Sequence, residues 1–229
     1  MKFLEPFLFG ALPYLSIFVF LLVTIQRYRS RAFTYTSLSS QFLENRLHFW
    51  AVMPFHYGIL VVLALHLLAF AIPRQILAWN SSPFRLYTLE ITGLVFAFLT
   101  LAGLLASIVR RLRISKVNVV TSKRDWLLLA MLLAQILTGI QIAVTLRWGS
   151  AWFAAVASPY LWSVFSFSPR VDLIAPLPLL VKLHIVLAYL VIGYFPFTRL
   201  VHILVAPNPY LWRKPQVTRW YRKPARSMS

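Results

Sequence analysis

Cysteine is absent from the 229 residues of this chain. Its absence excludes disulfides, thiolate ligands for an iron–sulfur cluster, and a covalently attached c-type haem, which needs a C-x-x-C-H motif. Acidic residues are nearly as scarce, with five Asp and Glu against 23 Lys and Arg. Charged residues make up 12% of the chain, whereas a soluble domain carries about 25%. We therefore expect an integral membrane protein, because the chain lacks the polar residues that cover a soluble globule.

The net charge of +18 raises the alternative of nucleic-acid binding, since basic runs often contact phosphates. The basic residues of this chain lie instead between and after long apolar runs. The N-terminus does not resemble a cleavable signal either, because it has an acid at Glu5 and prolines within its apolar run. We predict a membrane partner, lipid, and no nucleic acid.

Five segments approach the length of about 20 apolar residues that a spanning helix needs. They cover approximately residues 6–26, 49–72, 88–109, 126–147 and 179–205. The pattern predicts an all-α, multi-pass integral membrane protein, with residues 1–205 as a five-helix transmembrane domain and residues 206–229 as a basic tail.

The distribution of basic residues predicts the orientation of the five spans. With five spans, sixteen Lys and Arg fall on one side of the membrane and six on the other. Cytoplasmic loops carry the excess of Lys and Arg, so we expect the N-terminus outside and the C-terminus in the cytoplasm. A sixth span would move the basic tail outside. We therefore interpret the uncharged, aromatic-rich stretch 148–169 as an interfacial segment, where Trp and Tyr are favoured.

Four histidines lie within apolar spans, where an imidazole is costly unless it is used. The second span carries His56 and His66, and the fifth carries His184 and His202. The fifth histidine, His48, lies at the start of the second span, where contact with interfacial water accounts for it. A lone intramembrane histidine usually bonds a neighbouring helix, but two on each of two helices form a pattern.

The two helices run antiparallel, so the pattern predicts two levels of facing histidines. His66 and His184 would lie near the outer face, and His56 and His202 near the cytoplasmic face. Each level suits one planar macrocycle whose iron is bound by an imidazole on either side. The separations do not match, since ten residues of helix rise about 15 Å and eighteen rise about 27 Å. Pro196 is expected to kink or tilt the fifth span and absorb part of that difference.

Other cofactors account for the histidines less well. Zinc needs four ligands at one point, whereas these residues form two separate levels. A proton relay would need carboxylates within the spans, and only Glu90 lies close to one. Two b-type haems held between helices 2 and 5 use all four histidines. Small residues Gly58 and Gly193 would leave room for a flat ring, or would serve ordinary helix packing.

Arginines near the cytoplasmic face are candidate partners of haem propionates. Arg199 lies one turn before His202, and Arg110 and Arg111 end the third span. The alternative for each is a side chain that reaches past lipid to the headgroups.

Together, these segments resemble the gamma subunit of respiratory nitrate reductase, a di-haem cytochrome b that anchors its complex in the membrane. The similarity is carried by "PFHYGILVVLALHLLAFAIP" (54–73) and "KLHIVLAYLVIGYFPFTRLVHI" (182–203), with support from "SSQFLENR" (39–46) and "RRLRISKV" (110–117). It covers nearly the whole chain. One departure is Leu65, where the family often has glycine, and this concerns the shape of the quinol pocket.

The resemblance implies a function and a set of site residues. His66 and His184 would ligate the distal haem b, and His56 and His202 the proximal haem b. Quinol, either menaquinol or ubiquinol, would be oxidised near His66 and Arg85 on the outer side. Electrons would pass to an iron–sulfur beta subunit and a molybdenum-containing catalytic alpha subunit in the cytoplasm. The location implied is the cytoplasmic (inner) membrane, with access to the quinone pool.

Two alternatives remain open from the sequence. One is a similar di-haem b subunit of another membrane reductase, acting on heterodisulfides or sulfur compounds. The other is a haem-free membrane anchor or transporter whose histidines only bond neighbouring helices. The lack of cysteine means that this chain holds no cysteine-ligated iron–sulfur cluster, so in a di-haem subunit the electrons would leave to a partner.

Overall fold

The computed structural model describes residues 4–31 and 46–205, and all regular secondary structure in these two ranges is helical. Five helical stretches are long and apolar enough to cross a membrane, as the sequence predicts. They are Pro6–Ser30, Leu47–Ala71, Pro83–Arg113, Lys123–Thr145 and Leu179–Phe197. The predicted tail 206–229 and the loop motif at 39–45 lie outside the described residues.

The α-helices are numbered here in chain order. They are α1 (Leu12–Arg31), α2 (Arg46–Ala71), α3 (Pro73–Trp79), α4 (Pro83–Arg113), α5 (Ser115–Val119), α6 (Lys123–Thr145), α7 (Gly149–Trp152), α8 (Ser158–Phe165) and α9 (Leu179–Tyr194). The spanning helices contact one another in the order α1, α9, α6, α4, α2. In the described chain, α2 and α9 are bridged by α4 and α6 rather than closely packed on each other.

The closest packing of two spans is between α2 and α4. A Cβ added to Gly58 would lie 2.6 Å from the Thr100 backbone nitrogen, and one added to Gly103 would lie 2.8 Å from Phe55 Cα. Real Cβ atoms essentially never come so close. Small residues allow membrane helices to approach at backbone distance. These two glycines therefore fix the position of α2, which carries His56 and His66, against α4.

Two spans begin earlier than the apolar pattern predicts, because the residues before each apolar core suit the first turn of a helix. Helix α4 begins at Pro83, and proline suits a first turn whose N–H has no helical partner. Helix α6 begins with a capping box in which Ser122 and Asp125 bond each other's backbone N–H. Both ends therefore continue as regular helix beyond the apolar core of the span.

The first span begins with one turn of π-helix, Pro6–Ala11, before α1. Phe9 in this turn is 1% exposed, and its carbonyl accepts a hydrogen bond of 2.8 Å from the Tyr160 hydroxyl. Single π-turns often mark positions with a specific role. Here the role is structural, because the turn joins the first span to α8.

The stretch predicted to be interfacial is helical from Gly149 to Phe165 and is not long enough to be a sixth span. One face packs on the bundle: Ser158 donates to the Ala69 carbonyl at the end of α2, and Tyr160 is fully buried. Burial raises the pKa of the Tyr160 hydroxyl above its usual value. Trp162 and Phe165 contact the ring of Phe70 on α2 and remain largely exposed, as expected for aromatic residues at a membrane interface.

The fifth span is not one continuous α-helix. Helix α9 ends at Tyr194 and is followed by two 3-10 segments, Phe195–Phe197 and Arg199–Val205. Thr198 between them is extended, with φ −112° and ψ 179°. Proline at 196 removes a backbone donor and disfavours a continuing helix. The rise of about 27 Å for an unbroken helix therefore does not apply between His184 and His202.

Candidate functional site

Two of the four intramembrane histidines meet near the predicted cytoplasmic end of the bundle. The rings of His56 on α2 and His202 on the last 3-10 segment have centroids 6.1 Å apart and planes inclined at 60°. The break at Thr198 lets the chain after α9 turn toward α2. The structure thus brings this predicted pair together across the gap between α2 and α9.

Three of the four imidazoles share one hydrogen-bonding pattern. The Nδ1 atoms of His56, His66 and His202 each lie 2.8 Å from a backbone carbonyl one turn earlier in the chain. A carbonyl oxygen only accepts, so Nδ1 carries the proton and Nε2 keeps a free lone pair. In a histidine that ligates a metal, a hydrogen bond from the other ring nitrogen orients the imidazole.

His66 lies at the predicted outer end of α2 and is exposed. Its ring contacts Phe153, with centroids 5.3 Å apart and planes inclined at 84°. Phe153 belongs to the π-turn Phe153–Ala157 between α7 and α8. The segment predicted to be interfacial therefore forms one wall around this histidine.

His184 on α9 has a different environment from the other three. Its Nδ1 lies 2.9 Å from the Thr138 hydroxyl, and its Nε2 lies 3.1 Å from the Gln135 amide nitrogen. Both partners are on α6. A Cβ added to Gly139 would lie 3.1 Å from His184 Cε1, so this glycine makes room for the ring. His66 and His184 are close enough to interact electrostatically.

The two glycines that the sequence suggested as room for a ring serve helix packing instead. Gly58 faces Thr100 and Phe96 of α4, and Gly193 faces Ser16 of α1, where an added Cβ would lie 3.5 Å from the serine Cα. Neither glycine has a histidine among its near neighbours. The position that does make room beside a histidine is Gly139, which the sequence analysis missed.

Two of the three arginines proposed for propionates lie near one carboxylate. Arg199 Nε lies 3.2 Å from Asp125 Oδ1, and its Nη2 donates to the Val120 carbonyl at 3.1 Å. Arg111 donates to the Ser107 carbonyl and is within electrostatic range of Asp125, Arg110 and Arg199. Arg110 is 2% exposed. Arg111 and Arg199 are thus close to one acid, with Arg110 near Arg111, and the excess positive charge favours an additional anion.

The first span contacts the fifth span at the point where α9 gives way to 3-10 helix. Arg27 on α1 donates to the Pro196 carbonyl at 2.6 Å and to the Thr198 carbonyl at 3.3 Å. These carbonyls belong to the segment where the fifth span stops being an α-helix, so they need partners from elsewhere. Arg27 thereby helps to set the path of the chain that leads to His202.

Arg85, the predicted quinol contact, lies in the first turn of α4. Its Nη2 donates to Ser81 Oγ at 2.9 Å, and its guanidinium carbon lies 5.5 Å from the centre of the Trp79 ring. Its Nε is buried without a hydrogen-bond partner among the described residues. Near it, Glu90 accepts from the Ser150 backbone and hydroxyl. The predicted outer end therefore has a polar, aromatic-lined region next to α7.

The sequence indicates the four histidines as candidates, but not the residues of α6 that contact one of them. Gln135 and Thr138 lie in an otherwise apolar span. A polar side chain in such a span often bonds a neighbouring helix, which was the available signal. The partner could not be identified, because the rotation of α6 relative to α9 is set by tertiary packing.

The fold and these residues define a multi-pass helical membrane protein whose second and fifth spans carry paired histidines. In the described ranges, no three His, Cys, Asp or Glu side chains come together as a metal cluster, so these histidines meet at most in pairs. Residues 5–221 match the family model described as "Nitrate reductase gamma subunit". The chain belongs to this family.

Three curated gamma chains match over almost their whole length. The "Nitrate reductase gamma chain" of Bacillus subtilis (strain 168) is 32% identical over 220 residues, covering 94% of this chain and 97% of the relative. The "Respiratory nitrate reductase 1 gamma chain" of Escherichia coli (strain K12) is 31% identical over 227 residues, covering 96% and 99%. The "Respiratory nitrate reductase 2 gamma chain" of the same strain is 29% identical over 225 residues, covering 95% and 98%.

Proposed function

We propose that this chain is the membrane cytochrome b subunit of a respiratory nitrate reductase. It oxidises quinol near its outer face and delivers the electrons, by way of two haem b groups, to cytoplasmic partners. The observation that carries the proposal is the pair of imidazoles of His56 and His202, with ring centroids 6.1 Å apart. Membership of the nitrate reductase gamma subunit family supports it.

The proximal histidines suit an iron porphyrin on two counts. The rings of His56 and His202, with centroids 6.1 Å apart, are close enough for both imidazoles to hold one group between them. In both residues Nδ1 is occupied by a backbone carbonyl, which leaves Nε2 for the metal. Haem iron held by protein ligands supplies one-electron transfer, with a potential set by those ligands and their surroundings.

The distal pair would be His66 and His184. Their Nδ1 atoms are also engaged, by the Val62 carbonyl and by the Thr138 hydroxyl. Gln135 donates to Nε2 of His184, so its amide would have to turn away for that atom to bind a metal. The four histidines of the second and fifth spans would thus hold two haems, one toward each face of the membrane.

We assign the haem carboxylates, near the cytoplasmic face, to three arginines: Arg110, Arg111 and Arg199. Arg110 and Arg111 come from α4 and Arg199 from the segment before His202. Arg199 bonds Asp125 and Val120, and a propionate would be a further acceptor of the same guanidinium. A guanidinium has five N–H donors and can bind several acceptors at once.

The quinol site would lie at the outer end, near His66 and Arg85. The side chain of Arg85 is oriented by Ser81 and Trp79, and its buried Nε is available to a carbonyl or to a developing negative charge on oxygen. Quinol oxidation releases two protons and two electrons. Protons released outside and electrons moved inward would separate charge across the membrane.

The partners follow from the family and from this chain's chemistry. Its relatives are nitrate reductase gamma chains, and this sequence has no cysteine to hold an iron–sulfur cluster. We propose an iron–sulfur beta subunit and a molybdenum-containing alpha subunit on the cytoplasmic side. The basic loops and the C-terminus would face the cytoplasm by the positive-inside rule, in the inner membrane and with access to the quinone pool.

The experiment is haem reduction by a quinol analogue in membranes that contain the complex. His66→Tyr should remove the distal haem and abolish quinol oxidation, so that the retained proximal haem is no longer reduced by quinol. Arg85→Ala should slow reduction and leave the content of both haems unchanged, because the arginine contacts substrate and no iron. Arg74→Ala, which changes another basic residue on the predicted outer side, is the matched control and should behave as wild type.

A normal reduction rate in His66→Tyr through the proximal haem would mean that quinol enters from the cytoplasmic side. A spectrum without b-type bands in the wild-type chain would support the haem-free anchor instead. Co-purification with subunits of a heterodisulfide or sulfur-compound reductase would reassign the complex while leaving the haem ligands in place.

A further inference from the structure

The protonation state of His184 can be worked out from its neighbours on α6. The Thr138 hydroxyl has a single hydrogen, and the oxygen lies 2.8 Å from the Ala134 carbonyl and 3.0 Å from the Gln135 carbonyl. Both carbonyls only accept, so the hydroxyl hydrogen is directed at them. Toward His184 Nδ1, at 2.9 Å, the oxygen is then an acceptor, and Nδ1 must carry the ring proton.

The other side of the ring is consistent with this assignment. With Nδ1 protonated, a neutral imidazole has an unprotonated Nε2 that accepts. The Gln135 amide nitrogen lies 3.1 Å from Nε2 and donates to it, while the Gln135 amide oxygen is buried without a partner in the described structure. Because Nε2 is also the atom that would bind iron, this amide would turn away when haem is held, and the unpaired oxygen lowers the cost of that rotation.

His184 differs from the other three histidines in the kind of group that sets its tautomer. For His56, His66 and His202 that group is a backbone carbonyl, which a side-chain substitution cannot remove. For His184 it is one hydroxyl, on a different helix. Of the four histidines, His184 is therefore the one whose tautomer can be altered by a single side-chain substitution on α6.

We propose that Thr138 is a positioning residue for the distal haem, acting through His184. Its oxygen accepts the Nδ1 hydrogen, keeps the Nε2 lone pair available to iron, and raises the basicity of the imidazole. This inference rests on the proposed haem-binding function and adds to it a residue that controls the affinity and the potential of one haem only.

Substitution at Thr138 tests the inference with a matched set of variants. Thr138→Val keeps the shape and removes the acceptor, while Thr138→Ser keeps the hydroxyl. Thr145→Val is the control, because Thr145 lies on the same helix and makes the same bond to a carbonyl four residues earlier, at 2.6 Å from Gln141. Each full-length chain is purified, depleted of haem, titrated with haem b, and then titrated with a redox mediator series.

The expected result is specific to the distal component. Thr138→Val should weaken distal haem binding about 10- to 100-fold, the usual cost of removing a hydrogen-bonding partner behind a metal ligand. The midpoint potential of the distal haem should rise by about 59 mV for each tenfold decrease in the ratio of its ferric to its ferrous binding affinity. Thr138→Ser should restore both values, and Thr145→Val should change neither. The proximal component should be unaffected throughout, which serves as the internal check of folding.

Equal distal affinity and potential in wild type and Thr138→Val would overturn the inference. Loss of both components together would also overturn it, because Thr138 would then support the fold of the bundle. Should Thr138→Val not fold, Thr138→Ala gives a second reading with a smaller side chain and the same missing acceptor. A wild-type chain that binds no haem would instead refute the proposed function, which keeps the two failures distinct.

Discussion

At the scale of single residues, the four intramembrane histidines are held by different contacts on two levels. His56 and His202 face each other, and His184 is held by Thr138 and Gln135. Because spans two and five run antiparallel, substitution of either member of a pair should remove the same haem.

This pairing is tested by the reduced absorption spectra of four single variants. His56→Ala and His202→Ala should lose one spectral component, and His66→Ala and His184→Ala should lose the other. The contrary outcome is loss of one shared component in His56→Ala and His184→Ala. That result would mean that the pairing, or the five-span topology, is wrong.

A glycine next to His184 gives a second prediction at this scale. Gly139→Ala puts a Cβ 3.1 Å from His184 Cε1, so the ring must shift, and distal haem binding should fall about 10- to 100-fold, as for other outer-shell changes. The measurement is haem titration of the apo chain. Gly93→Ala is the control, since its Cβ would make an ordinary contact of 3.5 Å with Leu65 Cδ1. Unchanged distal affinity in Gly139→Ala would show that the ring has room to move.

At the scale of elements, the contact between α2 and α4 depends on two glycines. Gly58→Ala and Gly103→Ala each direct a Cβ into the backbone of the other helix, which cannot move as a side-chain end can. Overpacking typically costs about 1–3 kcal/mol. Unfolding of the purified chain in detergent should show both variants destabilised by roughly this amount.

The control for this prediction is Gly10→Ala, because the nearest atom to its Cβ would be Val171 Cγ2 at 3.9 Å. That variant should unfold like wild type. Unfolding midpoints of Gly58→Ala and Gly103→Ala equal to that of Gly10→Ala would mean that α2 and α4 can separate at no measurable cost.

Most of the elements were predictable from sequence, because the spans and their number follow from long apolar runs. The end of α9 at Tyr194 was only partly predictable: Pro196 indicates a kink, but not that the chain continues as 3-10 helix toward His56. Local sequence also gives no rotation for α6. The contact of Thr138 with His184 therefore required the packed bundle, since neither residue's neighbours in sequence predict it.

At the scale of the whole molecule, one ion pair joins the first and fifth spans. Lys182 Nζ lies 2.6 Å from Glu5 Oε1, each side chain is 14% exposed, and Lys182 also donates to the Ala175 carbonyl. Removing one partner leaves a largely buried charge unpaired, which typically costs about 3–5 kcal/mol. Glu5→Gln and Lys182→Met should each lower the stability in detergent.

The double variant Glu5→Gln with Lys182→Met completes the cycle and should recover part of the loss, because no unpaired charge is left. Arg170→Met is the control, since its pair with Asp172 is exposed and contributes at most about 1 kcal/mol. Additive losses in the double variant would show that the two charges do not stabilise each other.

The central claim for the molecule is that four histidines hold two haem b groups between the second and fifth spans. The most direct measurement is the pyridine haemochrome of the purified full-length chain, divided by its polypeptide concentration. We expect close to two non-covalent b haems per chain, because the four histidines would serve as two pairs of ligands. A value near one would mean that one pair is misassigned, and a value near zero would contradict the proposed function altogether.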